Sequence, residues 1–375
     1  MVNLNSVAPM GRLAGIWLGI GWLCLTGLGC DRGATAETPV EQLDPREAPS
    51  GAAGRQLADE TPREEVIPEG LLIGEYRLAD DPIIDGDTIR VEGIKGSLRL
   101  LSLDTEERLH GEAERAAAAK DFDAHRKRKR ANAARPPRMG TPMGEQAAEF
   151  AEAFFEEAMV VRLERDDAKK IRGNYGRLLA YAFVKKDGRW TSYSVACVRA
   201  GMSPYFTKYG YSRRFHDELK SAEAEARKAQ RGIWNPNAKG YGDYDERRAW
   251  WDARADFIRA FEGRAKRSDD LIPLSHYDAL ERLEANVGKQ VTVMSTVDRI
   301  EAFKGLVRVS LTAQNKQRFP VIFFDRRAFR ASGLERFEGE PVTVRGTVER
   351  YAKGSYRTLQ IVVRETEQVG LPSLP

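Results

Sequence analysis

The chain has 375 residues, of which 42% are hydrophobic and 31% charged, and its net charge is +4. That length leaves room for two or three domains, and the small net charge excludes a polycation that grips phosphate through bulk charge alone, so any such affinity must come from local clusters of Lys and Arg. Cysteines stand only at positions 24, 30 and 197, two of them in the N-terminal apolar segment, which excludes a disulfide-stapled scaffold.

The first thirty residues read as a targeting segment. No acidic residue precedes Asp31, Arg12 supplies the positive flank, and residues 13–29 carry no charge. The run is at the short limit for spanning a bilayer and ends in small residues before Cys30. Cys30 resembles the lipid-modified cysteine of bacterial lipoproteins, although Gly27 stands where a larger aliphatic residue is usual. An uncleaved apolar anchor and a simple signal peptide are the alternatives. Each predicts an exported protein, either secreted or held to the membrane of the cell envelope. Residues 31–66 are rich in Ala, Glu, Pro, Gly and Thr and cannot bury a core, so they are predicted to form a disordered linker.

Ordered sequence is predicted from near Leu71. Short β-rich runs reach Val91, broken by Asp-Asp-Pro and Asp-Gly, and the strand SLRLLSLD follows. Residues 108–140 form an insertion. Residues 141–158 have apolar positions at helical spacing behind Thr141. Strands are predicted at 159–164 and 177–184, then a helix near 193–201 that contains Cys197 as core packing, then a charged helix at 213–231. A further helix at 244–264 carries the apolar stripe Trp250, Ala253, Phe257, Ile258 and Phe261, which suits a packing face between domains. From about 287 the period becomes two, with three strands, a short helix and two more strands in the order of an OB-fold. The predicted class is α+β, mainly β. A five-stranded OB-type barrel with helices spans 67–236, a helical linker 237–286, and a second small barrel 287–368.

Three segments concentrate chemistry. Ile84-Asp85-Gly86-Asp87-Thr88 makes a tight turn, and Asp87 then shares a strand face with Ile89 and Val91. A carboxylate on a core face is costly unless it is paired or binds a metal. Residues 99–107, RLLSLDTEE, place Arg99, Asp104 and Glu107 on a strand and its exit loop, and residues 174–177, NYGR, bring Arg177 to the start of another strand. Strict alternation puts Arg99 and Asp104 on opposite faces, so a bulge or strand end is needed to unite them. Two carboxylates and four scattered histidines without ligand spacing point to a hard cation, Ca²⁺ or Mg²⁺, rather than zinc. Arginines can fork onto phosphate oxygens, and a further Glu can orient or deprotonate water.

IDGDT, RLLSLDTEE, NYGRLLAY and FHDELKSAEAEARKAQRGIW, in that order, resemble the staphylococcal nuclease (thermonuclease) family over roughly residues 70–236. The resemblance implies that Asp87, Asp104 and the carbonyl of Thr105 hold Ca²⁺. It implies that Arg99 and Arg177 bind the phosphate and that Glu107 activates water. The implied reaction is phosphodiester hydrolysis of DNA or RNA to 3′-phosphorylated products. Tyr205 and Tyr209 fall where the family stacks aromatic residues on the substrate base, with a packed surface tyrosine as the alternative for either. Two departures stand out. Glu106 replaces a usual proline, which is expected to loosen the loop that holds Glu107, and Gly173 replaces a common acidic residue.

Within 120–138 the insertion holds eight cations, Arg126, Lys127, Arg128, Lys129 and Arg130 among them, against Asp121 and Asp123. A protruding basic helix or a disordered arm binding nucleic acid is expected, with a solvated helix face as the plainer alternative. In the second barrel Phe303, Lys304, Arg318, Phe319, Tyr351, Lys353, Tyr356 and Arg357 mix aromatic and basic types as nucleic-acid binders do, with sugar or protein ligands, or a core place for several of the aromatics, as the alternatives. No obligate protein partner is expected. The rival to a nuclease is a catalytically inactive, envelope-anchored nucleic-acid-binding protein.

Overall fold

The computed structural model describes residues 67–375 except 132, 134, 174, 175, 315 and 316. The apolar N-terminus, Cys30, the linker and the Asn-Tyr pair at 174–175 lie outside the described residues. No helix among the described residues is long and apolar enough to cross a membrane.

The first sheet contains β1 (Leu72–Tyr76), β2 (Leu78–Asp85), β3 (Thr88–Val91) and β4 (Leu98–Leu100). After the helices α1 (Gly111–Lys120), α2 (Phe122–Arg130) and α3 (Pro142–Phe155) it takes in β5 (Val161–Glu164), β6 (Leu178–Lys186) and β7 (Arg189–Ser192). Its order is β1-β5-β6-β4-β3-β2, with β7 on β6. The inward positions Ile89, Leu98, Leu100, Leu163 and Ala180 are sealed from water and pack against α3, α4 (Tyr193–Arg199) and α5 (His216–Lys228). Helix α3 begins where Thr141 accepts the Gly144 N–H and Pro142 fills the first turn. Its Ala147, Ala148, Ala151, Phe154 and Phe155 are buried at helical spacing, as expected of the core-facing stripe.

Helix α6 (Tyr244–Ala265) leads to β8 (Leu271–Pro273), α7 (Ala279–Ala285), β9 (Gln290–Phe303), β10 (Leu306–Thr312) and β11 (Arg318–Phe323). Then come α8 (Arg326–Ala331), β12 (Pro341–Lys353), β13 (Tyr356–Val363) and β14 (Val369–Gly370). Strands β9, β10, β11, β13 and β12 pair in that order, and β12 returns to β9, which closes a five-stranded barrel. Val293, Val309, Leu311, Val321, Phe323 and Ile361 fill it. Pairing of β8 with β9 and of β14 with β12 extends this sheet beyond the span read from sequence.

Two expectations are corrected. The insertion is neither an arm nor a protrusion. It is a helical hairpin, α1 and α2, whose Ala118 and Phe122 pack with Met139, Met143, Ile233, Tyr241 and Tyr244. Counting charges hid the two apolar anchors. Helix α6 buries Ile258 and Phe261 of the predicted stripe, but the rest of its inner face differs from the predicted one. Tyr244, Arg247, Trp251, Arg254, Ala255, Ile258 and Phe261 are inside, whereas Trp250, Ala253 and Phe257 are only half-buried. Two arginines belong to the buried face because each has partners there. Arg247 bonds Asp243 and the Pro137 carbonyl. Arg254 donates to the Lys208 and Gly339 carbonyls, each at 3.0 Å, and to the carboxylate of Glu340.

Glu340 ties the two barrels together. It stands just before β12 at 1% exposure, and besides Arg254 it accepts from Arg135 of the insertion and from Trp250 Nε1 at 3.2 Å. On the other flank the Tyr277 N–H reaches the Lys169 carbonyl at 3.0 Å, and Lys169 Nζ meets Asp278 at 2.6 Å.

Candidate active site

The tight turn at Asp85–Gly86 starts β3 and leaves Asp87 at 1% exposure. Its carboxylate accepts from Thr88 Oγ1 at 2.9 Å and from the Thr105 N–H at 3.2 Å. Burial, opposed by Arg99, pushes its pKa up to about 7. Asp104 is buried as well, and its N–H is held by Ser203 Oγ at 2.9 Å.

The parity conflict between Arg99 and Asp104 is resolved by the strand end. β4 stops at Leu100, and Ser102 adopts φ +63°, a left-handed turn that rotates Asp104 back toward Arg99. Arg99 then forks across both carboxylates. Nη1 donates to Asp87, and Nη2 donates to Asp104 Oδ1 and to the Leu103 carbonyl, both at 3.0 Å. Thr105 Oγ1 is buried without a hydrogen-bond partner among the described residues. Glu107 is half-exposed at the same mouth. Burial and the neighbouring Asp85 raise its pKa, against the pull of Arg99, His110 and Arg177. Arg177 precedes β6, lines the same cleft as Arg99, and bears electrostatically on Glu107.

Arg138 is the site residue that sequence reasoning counted only as one more insertion charge. Its Nη1 donates to Glu107 Oε1 at 3.1 Å and its Nη2 to Asp104. Nothing in spacing announces it, because only the docking of the insertion brings it here. By contrast Tyr205 leaves the substrate face. It is wholly buried, its hydroxyl accepts from the Ser212 N–H at 2.8 Å and meets His216 Nδ1 at 3.0 Å, and no ring face is open for a base. Tyr209 is 45% exposed and lines the cleft.

The basic run is largely engaged in holding its own fold. Arg126 donates to the Gly240 carbonyl at 3.4 Å and pairs with Asp123, Lys129 pairs with Glu114, and Arg130 pairs with Glu246. Lys127 and Arg128 are exposed. In the second barrel Phe319 belongs to the core and Arg318 pairs with Asp298, while Phe303, Tyr351 and Tyr356 are exposed.

Glu106 does the opposite of what its position suggested. Its buried carboxylate accepts from Thr141 Oγ1, the Tyr241 N–H at 2.7 Å and Tyr244 OH at 2.7 Å, so it fastens the loop rather than loosening it. The loop also runs against Gly144, where an added Cβ would overlap the Glu107 carbonyl. Gly144→Ala should therefore displace Glu107 and cost about 1–3 kcal/mol. A melting curve unchanged from the parent would show that the loop moves freely.

Fold and site together define a β-barrel domain with a carboxylate–arginine cluster at its mouth, a suitable arrangement for binding and polarising an anionic ester. Residues 97–236 match the family model described as Staphylococcal nuclease homologue, and this segment is a domain of that family. Asp87 lies before the matched segment, and pairing of β3 with β4 brings it in.

Proposed function

We propose that the chain is a calcium-dependent endonuclease that hydrolyses phosphodiester bonds of DNA or RNA and leaves 3′-phosphorylated products. The observation that carries this reading is the meeting of Asp87, Arg99, Asp104 and Glu107 at one barrel mouth from a turn, a strand and a loop. The donor set fits a hard cation. It offers only oxygen, and burial raises the pKa of Asp87 even with Arg99 beside it, so a further positive charge would be favoured there. Asp87, Asp104 and the Thr105 carbonyl would hold a calcium ion, which would supply positive charge against the phosphoryl oxygens. Arg99 and Arg177 donate to those oxygens, where negative charge grows during attack. Glu107 accepts the proton of the attacking water, and its raised pKa makes it a stronger base than an ordinary surface carboxylate. Arg138 bonds Glu107 and Asp104 and so orients both.

The chain is proposed to act outside the cytoplasm, exported by residues 1–30 and tethered through Cys30 or the apolar run. Mass spectrometry of the native N-terminus tests the anchor. For the chemistry, plasmid DNA should be degraded with calcium and spared with chelator. Glu107→Gln should lower kcat at least about a hundredfold with little change in binding. Binding of nucleic acid without calcium-dependent cleavage across a broad pH range would favour the inactive binding protein instead.

A further inference from the structure

The cleft lined by Arg99, Arg138 and Arg177 takes in residues of other elements too and has a volume of about 360 Å³. Lys170, Lys208 and Tyr209 line it as well, Arg172 stands on its exposed rim, and Ser275, Thr312, Ala313 and Gln314 of the C-terminal region supply a further part of its wall. Within that wall Gln314 donates to the Ser275 carbonyl. The two barrels thus share one channel.

Lys208 is the informative residue. Its ammonium lies 4.7 Å from the Trp250 ring and 5.6 Å from the Tyr209 ring. Burial, and then the surrounding charges of Arg254, Arg138, Arg135 and Arg247, push its pKa down to about 7. The carboxylates of the cleft are engaged elsewhere. Asp167 and Glu262 both pair with Arg213, at 2.7 and 2.8 Å, and Asp166 accepts from the Arg213 and Arg214 N–H groups. A half-buried cation set among arginines, beside an exposed aromatic ring and opening on a channel, is completed by an anion from outside the protein.

We propose that this channel is a track for single-stranded nucleic acid, in which Lys208 and Arg172 hold phosphates beyond the scissile one and the 312–314 edge of the second barrel forms part of the wall. The inference rests on the nuclease reading of the channel's mouth and extends it. A strand offers one phosphate per nucleotide, which suits cations spaced along a wall, and its unpaired bases can stack on Tyr209. A duplex turns its bases inward and so offers none to stack on Tyr209.

The test is anisotropy of labelled single-stranded oligodeoxynucleotides with the full chain carrying Glu107→Gln. A dodecanucleotide should bind more tightly than a trinucleotide and more tightly than a duplex of its own length. Lys208→Gln should weaken the dodecanucleotide about tenfold and reduce the slope of log affinity against log salt by about 0.7, one single-strand phosphate contact. Arg172→Gln, on the exposed rim, gives a second reading of the same slope, and Gln314→Glu should narrow the gap between long and short oligonucleotides. Equal affinity for both lengths, duplex binding as tight as single-strand binding, or unchanged salt slopes in both cation variants overturns the track. Cleavage is scored separately with the unsubstituted chain. A length effect that depends on Lys208 without calcium-dependent cleavage keeps the track and removes the nuclease reading, and cleavage without a length effect does the reverse.

Discussion

On the proposed reading, Arg99→Ala should lower kcat on single-stranded DNA by about a thousandfold in the presence of calcium, with a much smaller change in KM. The size follows from position. Among the described residues Arg99 is the only guanidinium bonded to both buried aspartates, and it reaches them from a strand whose backbone is fixed by pairing with β3 and β6. A donor held that rigidly needs no reorganisation when charge develops on the phosphoryl group, so its loss falls on the transition state. Arg99→Lys restores only part of the rate, because an ammonium cannot fork across two acceptors. A rise in KM with kcat unchanged would show that Arg99 merely binds substrate.

The second large effect concerns stability. Glu340→Ala should cost about 3–5 kcal/mol, the usual range when one partner of a buried ion pair is removed. Glu340 and Arg254 are each 1% exposed, and Arg135 converges on the same carboxylate. Without it two guanidiniums remain beside Lys208 with no counter-charge from this carboxylate, in a joint closed by Trp250. Glu340→Gln keeps the shape and some of the hydrogen bonds, so it should lose less. Denaturant unfolding of the three proteins measures both values, and a loss under about 1 kcal/mol for the alanine variant would mean that water screens the joint.

Much of the barrel architecture was legible because its strands obey period two and α3 obeys the helical period behind a clear cap. The carboxylates and Arg99 were legible as types, since Asp87 on a core face demands a partner. Their convergence was not. It depends on the left-handed turn at Ser102, and serine carries no strong signal for that conformation. Helix α6 misled because hydrophobic periodicity passes over arginines, and Arg247 and Arg254 are inside only where Asp243 and Glu340 wait for them. Tyr205 misled through register. One tyrosine of the PYFTKYGY stretch faces the core and another the channel, and loop sequence does not say which. Arg138 was invisible because two helices intervene between Glu107 and it, and only the packing of Phe122 folds them back.

The fastening of Glu106 bears on where the first barrel domain ends. Tyr241 and Tyr244, which satisfy its carboxylate, lie downstream of residue 236, where the family match stops. A fragment trimmed at that border would strand a desolvated acid beneath the loop that presents Glu107. A fragment that keeps this acid satisfied should therefore reach at least Tyr244, the first residue of α6, so that ancestry and self-sufficiency place their frontiers at different residues.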